Sequence, residues 1–202
     1  MASEMRESEM QKLDRATLWG LEQYAEERSA FRTEVMAHKK PRRIAIGEHA
    51  TLYFEDFLTM KYQVQEMLRV ERIFEAAAIE EEIATYNPLI PDGSNLKATF
   101  MIEYEDVVER AAALGVLGGV ENTVYLEVTG CERVYAIANE DMERTRGTKA
   151  AAVHFLRFEL DASTVAASKA GQALKFGIEH PALAGSVTLG EAQRLSLLQD
   201  LA

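Results

Sequence analysis

Four side chains in one stretch have the types and spacing for acid–base or anion chemistry: Gln63, Glu66, Arg69 and Arg72. A helix turns by about 100° per residue. Wound on one helix through residues 62–85, Tyr62, Val70, Ile73, Phe74 and Ala77 fall on a single apolar arc. Gln63 and Glu66 lie inside that arc, and Gln65, Arg69 and Arg72 lie on its flank. A carboxylate on an apolar face must pair, accept hydrogen bonds or take up a proton. Arg69, three residues on, is within reach. Arg28, on the apolar stripe of an earlier helix, is a second partner if the two helices meet. Two readings of Glu66 follow. In one, a buried Glu–Arg pair fixes how two helices dock. In the other, Glu66 is an acid of raised pKa or a metal ligand in a cleft. Arg69 and Arg72 would then hold an anionic group with their forked guanidinium donors.

A second constellation uses histidine. In the strand predicted over residues 150–160, Ala152, His154, Leu156, Phe158 and Leu160 share one face, which turns His154 toward the core. His180 closes another strand ahead of Pro181, whose ring forces an extended backbone. With Glu66, these imidazoles would make the two-histidine, one-carboxylate ligand set of non-haem iron. A non-haem metal ion is therefore the cofactor this set would take. Against it stands the bland role of a core histidine satisfied by hydrogen bonds. His38 belongs to a basic run with Lys39, Lys40, Arg42 and Arg43, which reads as cations at a helix C-terminus. His49 falls in a turn, and both of these histidines are expected in water. Cys131, the single cysteine, reads as an incidental thiol in a hairpin turn. Phosphate-binding glycine loops and nucleophile elbows are absent from the sequence.

The elements that must position these residues follow from periodicity. Residues 9–36 read as one long helix capped by Ser8, with Leu21, Tyr24, Phe31 and Val35 on its stripe. Short strands are predicted over 43–46 and 51–56, and Thr59 would cap the helix that runs on to 85. Strands follow at 98–104, 122–128, 132–138, 150–160 and 173–180, with helices at 105–114, 162–170 and 190–201. Residues 139–148 read as a charged loop. Strands joined through turns favour antiparallel pairing. The expected fold is a single α+β domain over 1–202. Its N-terminal long helices (the first within 1–40) pack on a mainly antiparallel sheet in a body spanning 41–202.

Composition narrows the function. A net charge of −11 repels phosphate backbones and anionic membranes, so neither nucleic acid nor membrane is an expected partner. The polar first ten residues lack the apolar core of a secretion signal, and a lone cysteine suits a reducing compartment, so a cytoplasmic location is expected.

The runs RRIAIG, FEDFLT, YQVQEMLRVERI, YNPLIP and LKATFMIE follow one another from Arg42 onward. Together they resemble a bacterial family known as a domain of unknown function, DUF3501. The likeness extends back to Tyr24 and Arg28 and forward to the His154 strand and the His180–Pro181 pair. It implies a bacterial protein without an assigned activity, encoded near rubrerythrin and iron–sulfur proteins, and hence redox or iron–sulfur partners. The expected function is a non-enzymatic binding or accessory module, forming a homo-oligomer through its N-terminal helix. The alternative is a metal- or anion-dependent enzyme with a cleft between the helix from Tyr62 to Ala84 and the sheet.

Overall fold

A computed structural model describes residues 11–140, 147 and 149–202. Within them the helices are α1 (Leu21–Lys39), α2 (Phe57–Val70), α3 (Ala76–Tyr86), α4 (Val107–Val116), α5 (Ala162–Lys169) and α6 (Glu191–Leu198). The strands are β1 (Arg43–Ile46), β2 (Ala50–Glu55), β3 (Asn95–Ile102), β4 (Val124–Val128), β5 (Val134–Tyr135), β6 (Ile137–Ala138), β7 (Val153–Glu159), β8 (Leu174–His180) and β9 (Leu183–Thr188). The fold is α+β. The expected N-cap Ser8 and most of the charged loop 139–148 lie outside the described residues.

Alternation, clearest in β3 and β7, accompanies two antiparallel sheets, one ordered β1-β2-β3-β7-β6 and the other β5-β4-β8-β9. In the first, Leu52 lies opposite Phe100 and Phe100 opposite His154, so one face is apolar apart from that histidine. In the second, Leu126 lies opposite Phe176. These faces meet in one core where the Phe54 ring lies tilted against Phe176 and the Phe158 ring meets it edge-on, at 5.0 and 5.3 Å between ring centroids. The predicted hairpin over 122–138 is real only as far as Tyr135, which lies opposite Tyr125. At Ala136 the chain crosses over, and Ile137 and Ala138 pair with β7 in the other sheet. β9 has no counterpart in the expected elements.

The helices at the N-terminal end carry apolar clusters of their own. Met60, Val64 and Leu68 on α2 pack with Ile83, Ile90 and Leu13. Tyr24, Phe31 and Val35 on α1 pack with Tyr62. The stripe read from α1 therefore closes on α2 within the chain. α1 begins at Leu21, not residue 9. Its N-cap is Gly20, which follows an extended residue 18 and a short turn at Arg15–Thr17.

The single helix expected from 62 to 85 is two. α2 ends in a Schellman arrangement: Ile73 N–H donates to the Leu68 carbonyl at 2.9 Å and Arg72 takes φ 55°. The break resets the helical phase. The buried face of α2 is Met60, Val64 and Leu68, while Val70 and Phe74 are 60% and 66% exposed. The expected arc of Tyr62, Val70, Ile73, Phe74 and Ala77 does not form. Thr59 does not cap α2 either: Asp56 does, its Oδ1 accepting from Thr59 N–H at 2.9 Å while Thr59 Oγ1 accepts from Asp56 N–H at 2.9 Å.

The left-handed position at Arg72 is one that glycine fills without a Cβ penalty. Its side chain is exposed. Arg72→Gly should raise stability by about 1 kcal/mol, read as a higher denaturant midpoint at unchanged slope. A lower midpoint would show that the arginine side chain matters there.

Candidate functional site

Glu66 sits on α2 facing α1. Its side chain is 19% exposed, and both oxygens are fully occupied. Arg28 holds it in a fork, Nε to Oε1 at 2.7 Å and Nη2 to Oε2 at 2.8 Å. Tyr24 donates its hydroxyl to Oε1 at 2.7 Å, and Arg69 approaches from outside with two contacts of 3.3 Å. The Arg28 hydrogen bonds, helped by those from Tyr24 and Arg69, outweigh burial and bring the Glu66 carboxyl down to about 2. Burial and the Glu66 hydrogen bond push the Tyr24 phenol well up. The raised pKa that acid catalysis would need is absent: the carboxylate is locked in its charged form. One residue along, Gln65 is fully buried and binds the Trp19 backbone twice, Oε1 accepting from N–H at 2.6 Å and Nε2 donating to the carbonyl at 3.3 Å. Of the other expected ligand-binding residues, Gln63 is half-buried and Arg72 is exposed beyond the end of α2, and neither bonds to Glu66.

The structure does not bring His154, His180 and Glu66 together. His154 is fully buried on β7, with Nε2 3.0 Å from the Ala151 carbonyl and Nδ1 3.2 Å from Asn139 Oδ1. His180 ends β8 in the other sheet, its Nδ1 accepting from Ala182 N–H at 3.2 Å. Among the described residues no group of three His, Cys, Asp or Glu side chains is placed to hold a metal ion.

The basic run after α1 is not the solvated cluster its composition suggests. Arg42 is 1% exposed. Its guanidinium donates to the carbonyls of Phe54, Glu55 and Ser196 at 3.1–3.2 Å and to Asp200 Oδ2 at 2.5 Å. Asp56 Oδ2 lies 3.4 Å from it and 2.5 Å from His38 Nε2. Burial pushes the Asp56 carboxyl up, but His38, Arg42 and the Thr59 N–H outweigh it and hold it below the usual range. Burial dominates at Asp200 and pushes it up to about 6 despite Arg42. His49 is likewise half-buried rather than in water: its ring stacks on Tyr104 at 3.9 Å, and its Nδ1 lies 3.1 Å from the Glu103 carbonyl.

A cleft between a helix and the sheet does exist, though not at Glu66. The C-terminal end of α3 (Ala84, Thr85, Tyr86) and the next turn (Pro88, Leu89) form one wall. Lys97 of β3 with Phe155 and Arg157 of β7, on the outer face of the first sheet, form the other. The cavity between them measures about 620 Å³. Lys97 Nζ donates to the Pro88 carbonyl at 2.6 Å. Arg157 is forked onto Glu140 at 2.8 and 2.9 Å and also meets Glu159. No catalytic or phosphate-binding motif signals this cleft, although the runs YNPLIP and LKATFMIE supply Tyr86, Pro88, Leu89 and Lys97 to it. The available cue was the outward register of Lys97, Phe155 and Arg157 on strands whose inward faces are apolar.

The family model described as a protein of unknown function, DUF3501, matches residues 12–201. The chain belongs to that family. A crystal structure of a protein of unknown function from Burkholderia pseudomallei is 46% identical, with a TM-score of 0.90. The match covers 95% of this chain and 100% of that one. No functionally curated protein is similar. No described helix is long and apolar enough to cross a membrane.

Two outcomes follow from these charge networks. Glu66 has a lowered acid pKa, so the stability it contributes is present above 4.5, its ordinary value, and is lost as pH falls through about 2. Glu66→Gln should cost about 1–2 kcal/mol at pH 7 and nothing further at pH 2, by denaturant titration. Asp200 has the opposite sign. Between 3.8 and about 6 the folded state keeps a proton that the unfolded chain releases, so stability falls as pH rises through that window. Arg42→Met leaves Asp56 and Asp200 facing each other and should cost about 3–5 kcal/mol at pH 8. The loss should shrink at pH 5, where Asp200 can take the proton; an equal loss at both pH values would place the cost elsewhere.

Proposed function

We propose that the protein is a binding or accessory module that holds a small, largely apolar ligand in the cleft between α3 and the outer face of β3 and β7. The observation that carries this reading is the cleft itself. Its volume of about 620 Å³ is of the size small molecules occupy, and Ala84, Pro88, Leu89, Phe155 and Leu156 give it an apolar lining with a few polar groups at the rim. Glu66 supports it by default, because a carboxylate held by Arg28, Tyr24 and Arg69 docks helices and offers no lone pair to a substrate. A redox or iron–sulfur partner has the family resemblance as its only support. A cytoplasmic setting has the single cysteine. A homo-oligomer through α1 would use the polar face of that helix, since Tyr24, Phe31 and Val35 are buried against Tyr62.

An anilinonaphthalene sulfonate dye, apolar with one anionic group, tests the cleft. Its fluorescence should rise on binding with a saturable curve. Ala84→Trp, a substitution at an exposed helix position on the cleft wall, should abolish the rise without lowering the melting temperature. An equal response from the variant would move the dye to the exposed Phe74 or Val108 and overturn the reading.

A further inference from the structure

Lys97 differs from the other charged groups around the cleft. Arg157 is claimed by Glu140 and Glu159, and Asp92 accepts from Ser94 N–H and Oγ at 3.2 and 3.1 Å. Lys97 makes no ion pair among the described residues, and its single hydrogen bond goes to the Pro88 carbonyl at 2.6 Å. That contact fixes the amine against the apolar wall. A second ammonium reaches the same turn from the other side: Lys12 Nζ donates to the Ile90 carbonyl at 2.6 Å and lies 3.4 Å from the Asn87 carbonyl. Burial against an apolar wall, or a neighbouring cation, is a way a lysine amine becomes nucleophilic.

We propose that Lys97 captures a carbonyl compound, an aldehyde or ketone with an apolar body, as a Schiff base in this cleft. The neutral amine nitrogen adds to the carbonyl carbon and passes a proton to the carbonyl oxygen, giving a carbinolamine. Loss of that oxygen as water then leaves a C=N bond. One water is released, no electrons are exchanged, and no co-reactant is needed. The body of the ligand rests on Leu89 and Phe155. The groups facing the amine set its protonation. Burial favours the neutral form most, and Arg157 adds to it, while Asp92, Glu140 and Glu159 oppose. The net direction is a lowered pKa. Lys12 is lowered too, by burial and then by the Lys97 charge.

The proposal rests on the cleft being a binding site, and its test separates the two. The full chain is treated with benzaldehyde and cyanoborohydride at pH 7, and each lysine is quantified by peptide mass spectrometry. Lys97 should be labelled at least about tenfold faster than the exposed Lys40 and Lys169, a modest gain for a carbonyl held beside its amine. Ala84→Trp should return Lys97 to the surface rate. Even labelling across all lysines, or undiminished labelling in Ala84→Trp, overturns the capture. If the dye still binds the wild type in that case, the binding cleft stands and only the carbonyl chemistry falls.

Discussion

One buried guanidinium ties the helices to the sheets. Arg42 lies where α1 runs into β1, and it reaches four separate pieces of chain: the end of β2 through the Phe54 and Glu55 carbonyls, the cap of α2 through Asp56, α6 through the Ser196 carbonyl, and the C-terminal turn through Asp200. A cation moved out of water needs partners for most of its donors. Most of its partners here are backbone carbonyls near element ends, those of Phe54 and Glu55 in β2 and of Ser196 in α6. The same residue thus settles its own desolvation while tying β2 to α6 and to the C-terminal turn. Asp56 is held twice over, capping α2 with one oxygen and meeting Arg42 and His38 with the other. The entry angle of α2, and with it the position of every residue on that helix, depends on this knot.

From α2 the constraint passes to the cleft. Glu66 and Gln65 bind α1 and the segment before it, which leaves the Met60, Val64 and Leu68 face to receive Ile83 of α3. The turn after α3 is then pinned from outside. Asn87 trades hydrogen bonds with the Leu13 backbone at 2.8 and 2.9 Å. One wall of the cleft is therefore fixed by packing and the other by the β3–β7 ladder, so the cavity is preformed and a ligand need not order it on arrival.

Much of this was legible in the residues, and the failures have separate causes. Alternating strands announced themselves: 43–46 matches β1, and the His154, Leu156, Phe158 face is buried as its period predicts. Glu66, Arg28 and Arg69 meet because local and helix-to-helix spacing puts them in reach. Within the helix expected over 62–85, periodicity failed because the backbone conformation changes with no glycine or proline to mark it. Arg72 ends α2 in a left-handed turn that an arginine does not advertise, so the arc extrapolated through it placed Val70 and Phe74 on a buried face. β9, with Leu183, Ala184, Gly185 and Ser186, has too little bulk to read as a strand and forms because β8 offers it an edge. Arg42 was hidden by its neighbours. In a run of five basic residues nothing in composition says which one turns inward; the register of β1 and the carbonyls around it decide that.

The contrast between Glu66 and Lys97 shows why residue type is a weak guide to chemistry. Glu66 has the credentials of a catalytic acid, being an acid on a mostly buried helix face near arginines. Yet each added donor lowers its proton affinity and removes a lone pair that a substrate could use. Its partners convert a reactive group into a fastener. Lys97 carries no catalytic motif and looks like one more surface lysine, but no carboxylate among the described residues pairs with it and an apolar wall lies beside it. Reactivity collects where the fold leaves a polar group partly unanswered at the edge of a space. That condition is set by the partners a side chain lacks, and those are decided by strands and helices distant in sequence.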